Sequence, residues 1–311
     1  MPHVLSVLAN GAVLLFVVAT MLAVGLSLTV SQILAPLRRA RLVVFALVAN
    51  FVVVPVLAFA LTRLIPLSDP LRIGLILLGV SAGAPFLPKL AQFAHGNIAW
   101  SVGLMVLLMV VTIIYLPIVL PLLLPDIRVD PLSIAMSLIL TMLLPLGIAL
   151  LVRARYPEPA GQLQPLMTQV SNVALLVVLL TSLLANFEEL IGVIGTGGIL
   201  AALILIGGGV VIGYLLGGPG GDMRSVLGLG TGQRNISAAL LVSTQSFTDP
   251  NVLAMVLVGS TVGLFILLPL AFEIGKRTTT PKTAPGAQVA PGSAKATAAA
   301  DAPPPGAAPA A

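Results

Sequence analysis

Cysteine is absent from the 311-residue chain, and its two histidines, His3 and His95, stand far apart. The first absence removes disulfide frameworks and thiolate metal sites without fixing a compartment. The second leaves no pair at ligand spacing, so no resident metal centre is expected. Charge is scarce as well: Asp, Glu, Lys and Arg make up 8% of the residues, and only ten are acidic. Paired carboxylates, an HExxH run and a Ser-His-Asp set are all missing, which argues against an intramembrane enzyme. The long apolar runs lack strand-like alternation, which excludes a porin-like barrel.

What the chain does contain is hydrocarbon: 58% of its residues are apolar, more than a single water-soluble core can hide. The expected fold class is an all-α polytopic membrane protein, because helices satisfy their backbone groups within each apolar run. A bilayer core takes about 20 apolar residues per spanning helix. Nine segments are read, at 5 to 31, 41 to 64, 72 to 94, 98 to 123, 131 to 152, 164 to 186, 191 to 217, 225 to 247 and 251 to 274. The first lacks a basic lead-in and is too long for the apolar part of a signal peptide, so it is expected as a retained helix.

Basic residues in the connections orient the segments, since short cytoplasmic loops collect Lys and Arg. One set of connections holds Arg38, Arg39, Arg41, Arg153, Arg155, Arg224, Lys276, Arg277 and Lys282. The other holds only Arg63, Arg72 and Arg128, beside Asp69, Asp126, Asp130, Glu188, Glu189 and Asp249. This asymmetry predicts an outside N-terminus and a cytoplasmic C-terminus. The net charge of +5 is then topological, and no nucleic-acid partner is implied. From residue 278 the sequence turns to Pro, Ala and Thr without an apolar face. The expected division is a transmembrane domain over 1–277 and a disordered cytoplasmic tail over 278–311.

Two of the nine segments carry interruptions. In "SAGAPFLPKL" of the third, Pro85 and Pro88 each remove a backbone donor and crowd the preceding turn. In "GLGTGQRNISAALL" of the eighth, Gly228, Gly230 and Gly232 weaken the helix, each at a cost of about 1 kcal/mol against Ala. Helix breaks are therefore predicted at Pro85, Pro88, Gly230 and Gly232. The third segment runs inward and the eighth outward, so the chain reads as two halves with inverted topology. Paired discontinuous helices point to a secondary transporter with its site near the midplane, since unwound backbone is tolerated there only around a ligand or a wet cavity. Gly209 and Gly213, by contrast, have the spacing of close helix packing.

These stretches also carry a family resemblance. Over residues 10 to 276 the chain resembles a bacterial-type member of the bile acid:sodium symporter family in "AVGLSLTVSQI", "ANFVVVPVLAF", "AHGNIAWSVGL", "GYLLGG" and "TGQRNISAALL", in that order. The resemblance implies nine helices and alternating access between two domains. A core would form around two crossed broken helices, from 72–94, 98–123, 225–247 and 251–274, and a panel from part of the remainder. It also implies an inner-membrane location. Position by position, the family's cation-binding Ser-Asn pair falls on Leu87 and Pro88, its next-helix Ser on Ser101 and its Thr on Met105. The Glu falls on Gly230, the later Gln on Arg234 and the earlier Gln on Asn50, while Asn235 matches a family Asn. Leu, Pro, Met and Gly offer no side-chain oxygen to a hard cation, and Arg repels one. Of that set, sodium would keep only Asn50 and Ser101; no other cofactor is expected.

Arg234 stands ten residues from Arg224, which is about 15 Å along a helix. No Asp or Glu falls in the interior of any segment, so Arg234 and Lys89 have no carboxylate partner within the helices. Two compatible roles are open to Arg234. It can donate to the carbonyl ends of the broken helices as a built-in cation, or face the carboxylate of an anionic substrate, which its planar fork fits. Lys89 has snorkelling to the interface as its alternative. Substrate contacts are expected from Arg234, Asn235, Gln233, Thr231, Lys89, Asn50 and Ser101, with interhelical hydrogen bonding as the competing role for the uncharged ones. The function expected is secondary transport of a small organic anion across the lipid bilayer, sodium-independent if the replaced ligands decide. A sodium-coupled symporter with other ligands, and a scaffold or sensor that keeps the fold without flux, are the alternatives. The sequence names neither the substrate nor an oligomeric state.

Overall fold

A computed structural model describes residues 2–34, 38–124, 130–185 and 191–279, and no strand occurs among them. The helices are α1 (Pro2–Ser27), α2 (Val30–Leu34), α3 (Ala40–Leu64), α4 (Asp69–Val80), α5 (Leu87–Phe93) and α6 (Ile98–Leu123). They continue with α7 (Pro131–Arg155), α8 (Pro157–Ala185), α9 (Gly198–Leu216), α10 (Gly221–Gly232), α11 (Ile236–Ser246) and α12 (Pro250–Thr279). All belong to one unit, Met1–Thr279.

Six of these helices, α1, α3, α6, α7, α9 and α12, are long and apolar enough to cross a membrane. Their outward faces are hydrocarbon, with Ile114, Ile118 and Leu122 of α6 and Phe265 of α12 exposed. A water-soluble protein would hide such a surface; an integral membrane protein turns it to lipid. Six of the nine predicted segments reappear as these helices. The third and eighth are each divided in two, α4 with α5 and α10 with α11, so no piece has the length of a full span. The sixth is α8, which starts earlier than predicted, at Pro157. The residues expected to form the C-terminal tail, from 280 on, lie outside the described residues, as do Asp126, Arg128, Glu188 and Glu189.

Both interruptions fall beside the residues expected to cause them. Helix α4 stops at Val80, the chain is unwound over 81–84, and Pro85 opens the turn that leads into α5. Pro88 lies in the first turn of α5, where a missing N–H costs nothing. Gly228, Gly230 and Gly232 are all helical, and the unwound residues are 233–235. Packing overrides propensity here. A Cβ on Gly230 would stand 2.9 Å from Leu87 Cδ2, and one on Gly228 would stand 3.1 Å from the Val210 carbonyl. On the facing helix, a Cβ on Gly209 would come within 2.9 Å of the Thr231 carbonyl oxygen, so the glycines let α9 and α10 approach backbone to backbone.

Helix α3 widens into a π turn at Ala49–Val53, directly before Pro55. Pro55 has no N–H, which leaves the Phe51 carbonyl four residues earlier without its helical partner. The hydroxyl of Tyr115 on α6 donates to that carbonyl at 2.6 Å. The same turn carries Asn50, whose side chain is fully buried. π turns inside α-helices are frequent at functional sites.

Candidate functional site

The two breaks meet. Gly83 in the first has φ +80°, and a Cβ there would collide with the backbone of Leu108 and Met109, so only glycine fits this crossing of α6. Unwinding exposes backbone groups that lipid cannot satisfy. Thr112 of α6 answers two of them: its hydroxyl accepts from the Ala82 N–H and donates to the Ala82 carbonyl, both at 3.0 Å. Across the gap, the Asn235 N–H donates to the Ser81 carbonyl at 2.9 Å. The Asn235 side chain caps α11 by accepting from the Ala238 N–H at 3.1 Å.

Between the breaks lies Arg234, only 5% exposed. Its Nε donates to the Leu78 carbonyl at 2.9 Å and its Nη2 to the Gly79 carbonyl at 2.8 Å. Its Nη1 donates to the Thr231 carbonyl at 2.9 Å and to Asn50 Oδ1 at 3.3 Å. Leu78 and Gly79 belong to the last turn of α4 and Thr231 to the last turn of α10. Last-turn carbonyls lie at the negative end of a helix dipole and lack regular intrahelical partners; of the three, Leu78 also accepts from the Ser81 N–H, at 3.3 Å. One guanidinium thus closes the C-terminal ends of both broken helices, and their carbonyls take the place of a carboxylate partner. Four of its five N–H groups are engaged, and one on Nη2 remains.

Asn50 completes the cluster. It accepts from Arg234 and donates to Thr231 Oγ1 at 3.1 Å and to the Ala46 carbonyl at 3.0 Å. Of the predicted residues, then, Arg234, Asn50, Thr231 and Asn235 come together at the crossing. Ser101 is buried but donates to Ile98 of its own helix at 2.7 Å and makes no bond to the cluster. Lys89, expected to contact substrate or to snorkel, lines the cavity. It is exposed, donates to Gln92 at 3.1 Å, and its Nζ lies 5.2 Å from the centre of the Phe93 ring.

Beside the cluster is a cavity of about 810 Å³. One wall comes from α1 and α8, the other from the first break, α5, α6, α11 and α12. Arg234 and Gln233 line it at the second break, Lys89 lines it on α5, and no Asp or Glu is among its lining residues. The cavity therefore presents two cations within mostly apolar walls. At the same place begins the 11-residue helix α11. Its first-turn N–H groups at Ile236 and Ser237 lack intrahelical partners, and a helix N-terminus favours anions. Ser237 is 2% exposed and lines the cavity, and its hydroxyl makes no hydrogen bond among the described residues.

Several of these residues were not singled out from the sequence. Thr112 and Tyr115 are the two hydroxyls in the middle of a 26-residue apolar helix, which is a signal in itself. Leu78 and Gly79 act through carbonyls and leave no side-chain trace.

A family model described as the Sodium Bile acid symporter family matches residues 12–197, more than half of the chain. The match takes in the first break and stops before Arg234 and the second. Among curated proteins no match is found.

Proposed function

The chain belongs to the sodium bile acid symporter family, and from that premise we propose that it moves small organic anions by alternating access and does so without sodium. One observation carries the reading. A buried guanidinium on the wall of a cavity free of acidic residues is already bound to the carbonyl ends of both broken helices.

The architecture follows from the same premise. With α4–α5 and α10–α11 counted as discontinuous spans and α8 as a further one, the six continuous helices become nine spans in two inverted halves. In each half a broken helix precedes a long one, α6 or α12. These six pieces form the core, and α1, which packs along α7 and α8, belongs to the panel. The cavity lies between them and is lined by the C-terminal part of α1 and the N-terminal half of α8. Those ends adjoin Arg38, Arg39, Arg41, Arg153 and Arg155. With that side read as cytoplasmic and the N-terminus outside, the cavity is open to the cytoplasm of a bacterial inner membrane. Rocking of panel against core would expose it to the other side.

The anionic head of the substrate docks at the start of α11, on the N–H groups of Ile236 and Ser237 and the Ser237 hydroxyl. The remaining Arg234 N–H and the helix dipole add to the attraction. Gln233 flanks that point, and Lys89 draws anions toward the cavity. Sodium does not fit at the crossing. The oxygens of Leu78, Gly79, Thr231 and Asn50 all accept from Arg234, and its fixed charge repels a second cation from the buried Ser81 Oγ and Gln233 Oε1 beside it.

The family's own description favours a second reading, sodium coupling through other ligands. Uptake of radiolabelled mono- and dicarboxylates into liposomes, with sodium or choline outside, separates the two. Equal uptake is expected, and a steep sodium requirement selects the second reading. Arg234→Gln should abolish uptake while leaving insertion intact; unchanged uptake by that variant would contradict the role given to Arg234.

A further inference from the structure

Helix α8 carries a polar stripe. Gln164, Thr168, Ser171 and Asn172 fall at offsets of zero, four, seven and eight residues and all line the cavity, as one helix face requires. Asn172 stands eight residues inside the apolar segment that begins at 164, about 12 Å along the helix axis. At that depth a bilayer offers no hydrogen-bond partner, so a polar side chain there must face protein, water or cargo.

Part of the stripe is satisfied within the wall. Ser171 shares a 2.6 Å bond with Thr20 of α1, and Thr168 both donates to the Gln164 carbonyl and accepts from Gln164 Nε2, each at 3.0 Å. The remainder is not. Neither Gln164 Oε1 nor the Asn172 amide has a partner among the described residues, and Asn172 is exposed to the cavity. Helix α8 packs mainly on α1 and α7. The stripe therefore belongs to the wall across the cavity from the start of α11.

We propose that this stripe is a second subsite, which reads hydroxyl or amide groups on the part of the substrate remote from its anionic head. Resting on the organic-anion reading above, it narrows the substrate to polyhydroxylated or amide-bearing organic anions and disfavours alkyl or plain-ring carboxylates. A cavity of about 810 Å³ has room for such a body beyond the charged group. The Asn172 amide offers both a donor and an acceptor to it. A site built to hydrogen-bond a substrate rejects the analogue that lacks those groups, because its own polar atoms are then left unpaired.

Thermal unfolding of the full-length protein in detergent, titrated with matched acids, tests this. The pairs are quinate with cyclohexanecarboxylate and gluconate with hexanoate. In the wild type the hydroxylated member should raise the midpoint at about tenfold lower concentration. Asn172→Leu and Gln164→Leu should each reduce that preference, Asn172→Leu to near parity, and Asn172→Gln should restore part of it. Equal titration of both members by the wild type, or a preference that survives Asn172→Leu, overturns the subsite and leaves the anion carrier standing. If no acid of either pair shifts the midpoint, the organic-anion reading fails and the subsite with it.

Discussion

The Asn235 N–H and the Ser81 carbonyl, 2.9 Å apart, join the unwound stretch of one broken helix to that of the other. Asn235 directly follows Arg234, whose guanidinium reaches back past Ser81 to the last turn of α4. Two helices that give up their own hydrogen bonds at one depth thereby supply each other's. In the proposed cycle the two would move as one body while the panel rocks against them.

Arg234→Gln should destabilise the protein by about 3 kcal/mol or more, since several buried carbonyls lose their donors at about 1–3 kcal/mol each. Arg234→Lys keeps the charge, but an ammonium cannot span carbonyls on two helices as a planar fork does. It should fall between the wild type and Arg234→Gln. Thermal unfolding in detergent measures both, and a Gln variant as stable as the wild type would contradict the capping role.

Thr112→Val removes the hydroxyl that serves both the N–H and the carbonyl of Ala82 while keeping the shape. A loss of about 2 kcal/mol is expected, and Thr112→Ser should recover most of it. Equal stability of the Val and Ser variants would show that the first break needs no such partner.

Tyr115→Phe leaves the Phe51 carbonyl without a donor, because Pro55 cannot supply one. The expected cost is about 1–2 kcal/mol. In a Pro55→Ala background the same change should cost less, since the new N–H can reach Phe51. A double-mutant cycle with no coupling would rule this account out.

Ser137 of α7 donates to Gln245 of α11, away from the cavity lining and toward the end opposite the basic connections. In the proposed cycle this contact belongs to the closed side. Because the chain has no cysteine, Ser137→Cys with Gln245→Cys creates the only thiol pair. A short reducible bifunctional reagent should stop uptake, and reductant should restore it. Uptake undiminished by efficient cross-linking would mean that this side never opens.

Much of the fold was legible because length and hydrocarbon content speak directly: α3, α6, α7 and α12 fall close to their predicted segments. The two breaks were legible as a pair but not in register. Gly230 and Gly232 were read through propensity, yet both are helical, Gly232 packed against α9 and Gly230 against Leu87 of α5 and Leu104 of α6. Arg234 stood out because a fixed charge in an apolar run needs a partner. Its partners did not stand out, since Leu78, Gly79 and Thr231 contribute main-chain oxygens and any side chain offers the same carbonyl.

The substrate-free measurement that bears most directly on the resident guanidinium is thermal unfolding of the purified wild type in sodium against choline at equal ionic strength. The midpoints should coincide, because the oxygens at the crossing already hold a cation that cannot leave. A sodium-specific rise in the midpoint that saturates with concentration would place an exchangeable ion in this protein and contradict the account.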